Sequence, residues 1–70
     1  ASAQIRLRVS AAMTVLTPVE RTAFALRHYE GRSIAHISSA LGLGTSATKH
    51  SIFRAVRKLR TALQPLRSES

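Results

Sequence analysis

The fold is decided by residues 33–63, which read SIAHISSALGLGTSATKHSIFRAVRKLRTAL. The first third of this stretch has apolar residues at helical spacing: Ile34, Ile37 and Leu41. Ser33 is a favourable N-cap for a helix, and Gly42 is a favourable residue to end one. The sequence therefore predicts a short helix over about residues 33–41.

A longer helix is predicted after a tight turn at residues 42–44. Thr45 or Ser46 can serve as its N-cap, and Pro65 prevents it from continuing much beyond residue 63. Its apolar stripe consists of Thr48, Ile52, Ala55, Val56, Leu59 and Leu63. A short helix, a glycine-containing turn and a longer helix over about residues 45–63 form a helix-turn-helix pattern.

Two further helices are predicted upstream, over about residues 2–15 and 18–30. The first has its apolar stripe at Ile5, Val9, Ala12, Met13 and Leu16. The second begins at a capping box formed by Thr17 and Glu20 and ends at Gly31. Its inward residues are Val19, Ala23, Phe24 and Leu26. No stretch alternates like a strand, so we expect one small all-α domain of four helices over residues 1–70, without a winged element.

The composition limits the classes of function. Eleven Lys and Arg residues against three Asp and Glu residues give a net charge of +8, which indicates an anionic partner. The absence of Cys excludes disulfide scaffolds, zinc fingers and thiol catalysis. No apolar run approaches the roughly 20 residues of a membrane span, so we expect a cytoplasmic protein with no membrane partner. Because the chain starts with Ala1 and not with Met, we expect it to be a piece of a longer protein.

The fourth helix concentrates positive charge opposite its apolar stripe. Five basic residues and no acidic one lie between Lys49 and Arg60. A helix in the major groove of DNA reads base edges with its first turns and meets phosphates further along. The candidate base readers are therefore Ser46, Ala47, His50 and Ser51. The candidate phosphate contacts are Lys49, Arg54, Arg57 and Lys58, with Arg32 and Ser33 at the start of the third helix.

The other chemically versatile residues do not combine into a site. His28 is expected at the surface near the end of the second helix, and His36 in the first turn of the third. Without Cys and with few carboxylates, no metal site is expected. No nucleophile can be matched with a base, so we expect no enzymatic activity, no cofactor and no small-molecule substrate. Phe53 lies beside the apolar stripe, where we expect it to cap the edge of the core.

Four spaced motifs are shared with a known family. They are Leu16-Thr17-Pro18-Val19-Glu20-Arg21-Thr22-Ala23-Phe24, Tyr29-Glu30-Gly31-Arg32-Ser33, Leu41-Gly42-Leu43 and Arg54-Ala55-Val56-Arg57-Lys58-Leu59. Through them the chain resembles region four, the C-terminal DNA-binding region, of bacterial sigma factors, most closely the extracytoplasmic-function group. The resemblance implies that the fourth helix binds the −35 element of double-stranded promoter DNA and that another face binds the flap of the RNA polymerase core. An anti-sigma factor is a further partner that it implies.

The chain departs from the family pattern at several positions. His36 stands where the family usually has Glu, and Ser38 where it has Ala. Ala47-Thr48 replaces a Thr-Val pair, and Ser51 replaces an Arg. These departures concern DNA sequence preference more than the fold. The promoter-melting region of a full sigma factor is not recognisable in these residues, so we expect this chain to recognise a promoter without opening it.

Other classes remain open from the residues alone. The C-terminal effector domains of response regulators have a similar four-helix fold, but they typically dimerise through the last helix. In this sequence the apolar stripe of the last helix is expected to point inward, which disfavours that class. A basic protein-interaction module would bind an acidic protein and not DNA. A membrane-surface helix is disfavoured because Trp is absent and Phe53 is the only large aromatic residue near the basic face.

Overall fold

The computed structural model describes residues 2–63 and contains four helices. They are α1 (Ser2–Met13), α2 (Pro18–His28), α3 (Ile34–Leu41) and α4 (Thr45–Ala62). No strand occurs within this range, and the predicted all-α fold is confirmed. Each helix is one or two residues shorter than predicted: α1, α2 and α4 end earlier, where the chain forms a turn, and α3 starts one residue later, after its N-cap. The predicted stop at Pro65, like residue 1 and the rest of residues 64–70, lies outside the described residues.

Side-chain caps fix the starts of α2 and α3. The Glu20 amide donates to Thr17 Oγ1 at 3.2 Å, and the Thr17 amide donates to Glu20 Oε1 at 3.0 Å. This reciprocal pair confirms the predicted capping box. At α3 the His36 amide donates to Ser33 Oγ at 3.1 Å, so Ser33 is the N-cap and the helix proper begins one residue later.

The predicted side-chain cap of α4 is wrong. Gly44 is the N-cap, with an extended backbone, while Thr45 and Ser46 already lie inside the helix. The reason lies one turn further on: both the amide and the hydroxyl of Thr48 donate to the Gly44 carbonyl, at 3.0 and 2.9 Å. These two bonds anchor the first turn without an N-cap side chain.

The turn between α3 and α4 depends on Gly42, whose φ of +68° is left-handed. Its amide donates to the carbonyls of Ser38 and Ser39, which closes the end of α3. The Leu43 amide also donates to the Ser38 carbonyl at 3.0 Å, and the Ser38 hydroxyl donates to the Leu43 carbonyl. These bonds set the angle at which α4 leaves α3.

The core lies where α1, α2 and α3 pack against α4. A cluster of buried residues contains Ala12, Leu16, Ala55 and Leu59, with Met13, Phe24 and Leu63 packed against it. Ala23 and Ile37 are also fully buried. Two predicted core residues are exposed: Ile5 belongs to the exposed residues 3–8 of α1, and Val19 is turned outward because Glu20 takes the inward position next to it.

Candidate nucleic-acid interface

One face of α4 packs on the body of the domain and the opposite face is open to solvent. The buried residues, Thr48, Ser51, Ala55 and Leu59, are spaced by three or four positions and so form one stripe. Ser46, Ala47 and His50, in the first two turns, are exposed. The structure therefore leaves three of the four proposed base readers accessible on one side of the helix.

Ser51 is the exception, and its prediction as a base reader is wrong. Its exposed fraction is 3%. It lies three residues after Thr48 and four before Ala55, which places it on the packed face of α4. Its place in the first turns of α4 suggested base contact, but the helical spacing puts it on the buried stripe.

Arg32 and Ser33 lie at the start of α3, as predicted for phosphate contacts. Ser33 Oγ accepts a hydrogen bond from the His36 amide and retains a hydroxyl proton that it can donate to a phosphate. Arg32 Nε lies 3.5 Å from Glu30 Oε1, and both side chains are about half exposed. An exposed pair of this kind contributes little free energy, so Glu30 does not prevent Arg32 from binding an anion.

A cationic cleft runs along one flank of α4. It brings Lys49, Phe53 and Arg57 of α4 together with Arg27 and His28 of α2. The Arg57 guanidinium carbon lies 5.9 Å from the centre of the Phe53 ring, within range of a cation–π contact. Phe53 is 58% exposed, so the prediction that it caps the core is wrong. It supports a surface arginine instead.

Arg54 and Lys58 converge on a single carboxylate of α2. Arg54 Nε donates to Glu20 Oε2 at 3.2 Å, and Lys58 Nζ donates to Glu20 Oε1 at 2.7 Å. We call Glu20, Arg54 and Lys58 the Glu20 cluster. It ties the start of α2 to the second half of α4, and it occupies two of the side chains predicted to contact phosphates.

The electrostatics of the Glu20 cluster favour an ionised carboxylate. The hydrogen bond from Lys58 is the main cause that lowers the pKa of Glu20 to about 2, with further contributions from the Thr17 amide and Arg54. Burial acts in the opposite direction, since Glu20 is only 3% exposed. Sequence reasoning found the cap made by Glu20 but missed its contacts with α4. The only hint was the scarcity of acidic residues among so many cations.

Residues 2–63 offer neither a membrane-spanning helix nor a metal-binding cluster. No helix there is long and apolar enough to cross a lipid bilayer. In the same residues no three His, Cys, Asp or Glu side chains are grouped so that they could hold a metal ion.

The short α3, the left-handed glycine turn and the cationic α4 define a helix-turn-helix domain. Comparison with protein families gives a match between residues 6–59 and the family described as Sigma-70, region 4. The RNA polymerase sigma-E factor of Streptomyces antibioticus is 38% identical over 53 residues, which is 76% of this chain and 29% of that protein. The chain belongs to the sigma-70 region 4 family, as its motifs predicted, and spans less than a third of that relative.

Proposed function

We propose that this domain binds the −35 element of promoter DNA as part of an RNA polymerase sigma factor that directs transcription initiation. The observation that carries the proposal is the open face of α4, which presents small polar residues first and cations further along. No acidic residue lies on this helix. Membership of the family supports the same conclusion.

The arrangement divides the interface into positioning and readout. Lys49, Arg54 and Arg57 neutralise phosphates beside the groove, and Arg32 does so at the start of α3, where free backbone amides also favour an anion. These contacts carry no sequence information and depend strongly on salt. Readout falls to the first turns of α4, where Ser46 and His50 offer hydrogen bonds to base edges and Ala47 offers a methyl group.

Fluorescence anisotropy of a labelled duplex across a salt series tests this proposal. With about four phosphate contacts, the logarithm of affinity falls with the logarithm of salt at a slope of about −4. Arg57→Ala makes the slope shallower by about 0.9. Arg6→Ala is the matched control, because it removes one exposed cation from α1 and leaves the interface intact. No binding at low salt, or equal effects of the two substitutions, would contradict the proposal.

We also propose that the RNA polymerase core binds this domain through its flap, at a surface away from α4. The exposed apolar residues of α1 support this, since Ile5 is 52% and Leu7 is 70% exposed. An anti-sigma factor would act by covering this surface or the DNA-binding face. Leu7→Ser is expected to weaken capture of the domain by polymerase core while duplex affinity stays the same. An unchanged capture would place the polymerase contact elsewhere.

A further inference from the structure

Glu20 of α2 is a buried carboxylate that is hydrogen-bonded to two cations of α4. Its Oε1 accepts from Lys58 Nζ at 2.7 Å and from the Thr17 amide at 3.0 Å, while Oε2 accepts from Arg54 Nε at 3.2 Å. A carboxylate that is 3% exposed cannot replace a lost partner with bulk water. Removing Lys58 from Glu20 therefore costs more than separating an exposed ion pair.

The two cations of the Glu20 cluster are held in different ways. Arg54 uses only Nε, and its side chain is 54% exposed, so its terminal nitrogens remain able to reach a phosphate. Lys58 carries its whole charge on one nitrogen, and that nitrogen is the atom bonded to Glu20. The ammonium keeps two further N–H donors, but Oε1 at 2.7 Å already neutralises much of its charge, so a phosphate gains the full attraction only if Nζ moves away from Glu20.

We propose that Glu20 withholds Lys58 from DNA phosphates and thereby limits the sequence-independent part of the domain's DNA affinity. The inference rests on the proposed DNA-binding function. Each further phosphate contact strengthens binding to every duplex alike, whatever its sequence. By keeping one cation of α4 bound within the protein, Glu20 leaves a larger share of the binding free energy to base readout. Glu20 is a specificity-determining residue that does not itself touch DNA.

A double-mutant cycle of Glu20 and Lys58 tests the inference. The affinity of each variant for a random-sequence duplex is measured by fluorescence anisotropy across a salt series. In the wild-type background, Lys58→Ala changes affinity less than twofold. Glu20→Gln raises affinity about tenfold at about 50 mM salt and steepens the salt slope by about 0.9. Adding Lys58→Ala to Glu20→Gln removes that gain. Gln retains a side-chain oxygen that can accept the Thr17 amide, so the cap of α2 is preserved.

Arg57→Ala is the control, because Arg57 is not among the cations that bond Glu20. It should cost the same in both backgrounds. A gain from Glu20→Gln that persists without Lys58 would show that net charge or the release of Arg54 causes it, and would overturn the inference. The inference would also be overturned if, in the wild-type background, Lys58→Ala reduced DNA affinity as much as Arg57→Ala does. This comparison does not need the Glu20→Gln variant, so it can be made even if that variant fails to fold.

The same measurements separate the inference from the proposed function. If Arg57→Ala weakens binding and Lys58→Ala weakens it equally, the DNA-binding function stands and the withholding role fails. If neither substitution affects binding, the proposed use of α4 fails, and the inference fails with it.

Discussion

Acid should destabilise this domain mainly through one residue, Glu20. Its pKa in the folded domain is about 2, against an ordinary value of 4.5. At about 1.4 kcal/mol per pH unit, this difference corresponds to about 3 kcal/mol of stability. Because Lys58 and Arg54 are 40% and 54% exposed, solvent screens their attraction, and we expect about 2–3 kcal/mol. A domain of this size has only several kcal/mol of stability in total, so the loss is a large fraction.

The direction of the pH dependence follows from the lowered pKa. Between pH 4.5 and 2 the unfolded chain binds a proton at Glu20 that the folded domain does not bind. The stabilisation is therefore complete above pH 4.5 and is lost as the pH falls toward 2.

Urea denaturation followed by circular dichroism at a series of pH values measures this effect. At pH 7, Glu20→Gln should lower the free energy of unfolding by about 2–3 kcal/mol, and the difference from wild type should vanish near pH 2. Glu30→Gln is the matched control, since Glu30 pairs with Arg32 at the surface and should matter by less than about 0.5 kcal/mol. Equal stability of Glu20→Gln and wild type at pH 7, or a difference that persists at pH 2, would refute this reasoning.

Three further predictions concern the backbone, the caps and the core, and all are measured by chemical denaturation. Gly42→Ala should destabilise the domain by about 1–2 kcal/mol, and Gly42→Asn by less. The cost is backbone strain alone, because φ is +68° and an added Cβ meets no atom within 4 Å. Equal costs of the two substitutions would contradict this. His36→Glu should stabilise it by about 0.5–1 kcal/mol by completing a capping box with Ser33, and no gain would mean that His36 has another role. Phe53→Ala should lower the free energy of unfolding by less than about 1 kcal/mol and Leu59→Ala by about 2–4 kcal/mol. The reason is that Phe53 is 58% exposed and Leu59 only 8%. The reverse order would contradict the placement of α4.

Local rules were sufficient to predict the helices of this domain. Thr17 and Glu20 specify the start of α2 through contacts only three residues apart. The left-handed Gly42 was likewise predictable, because few other residues adopt that backbone. The cap of α4 was not predictable in this way, because it depends on the hydrogen bond that the Thr48 hydroxyl donates to the Gly44 carbonyl.

The candidate site was less predictable, because it depends on packing between helices. The charge on α4 was visible in the sequence, but the partners of Arg54 and Lys58 lie 34 and 38 residues away. That pairing exists only once α2 has packed on α4 with Glu20 facing inward. Ser51 was misplaced because it was chosen for lying in the first turns of α4, and Phe53 because it lies beside the apolar stripe; which face each side chain presents is decided by packing.

Selection of duplexes from a random library by the domain tests whether the first turns of α4 read DNA bases. We expect one motif to be enriched. His50→Ala or Ser46→Ala should change that motif, whereas Arg57→Ala should weaken binding and leave the motif unchanged. Enrichment of no motif, or a motif altered by Arg57→Ala and unaffected by His50→Ala, would mean that the first turns of α4 do not read bases.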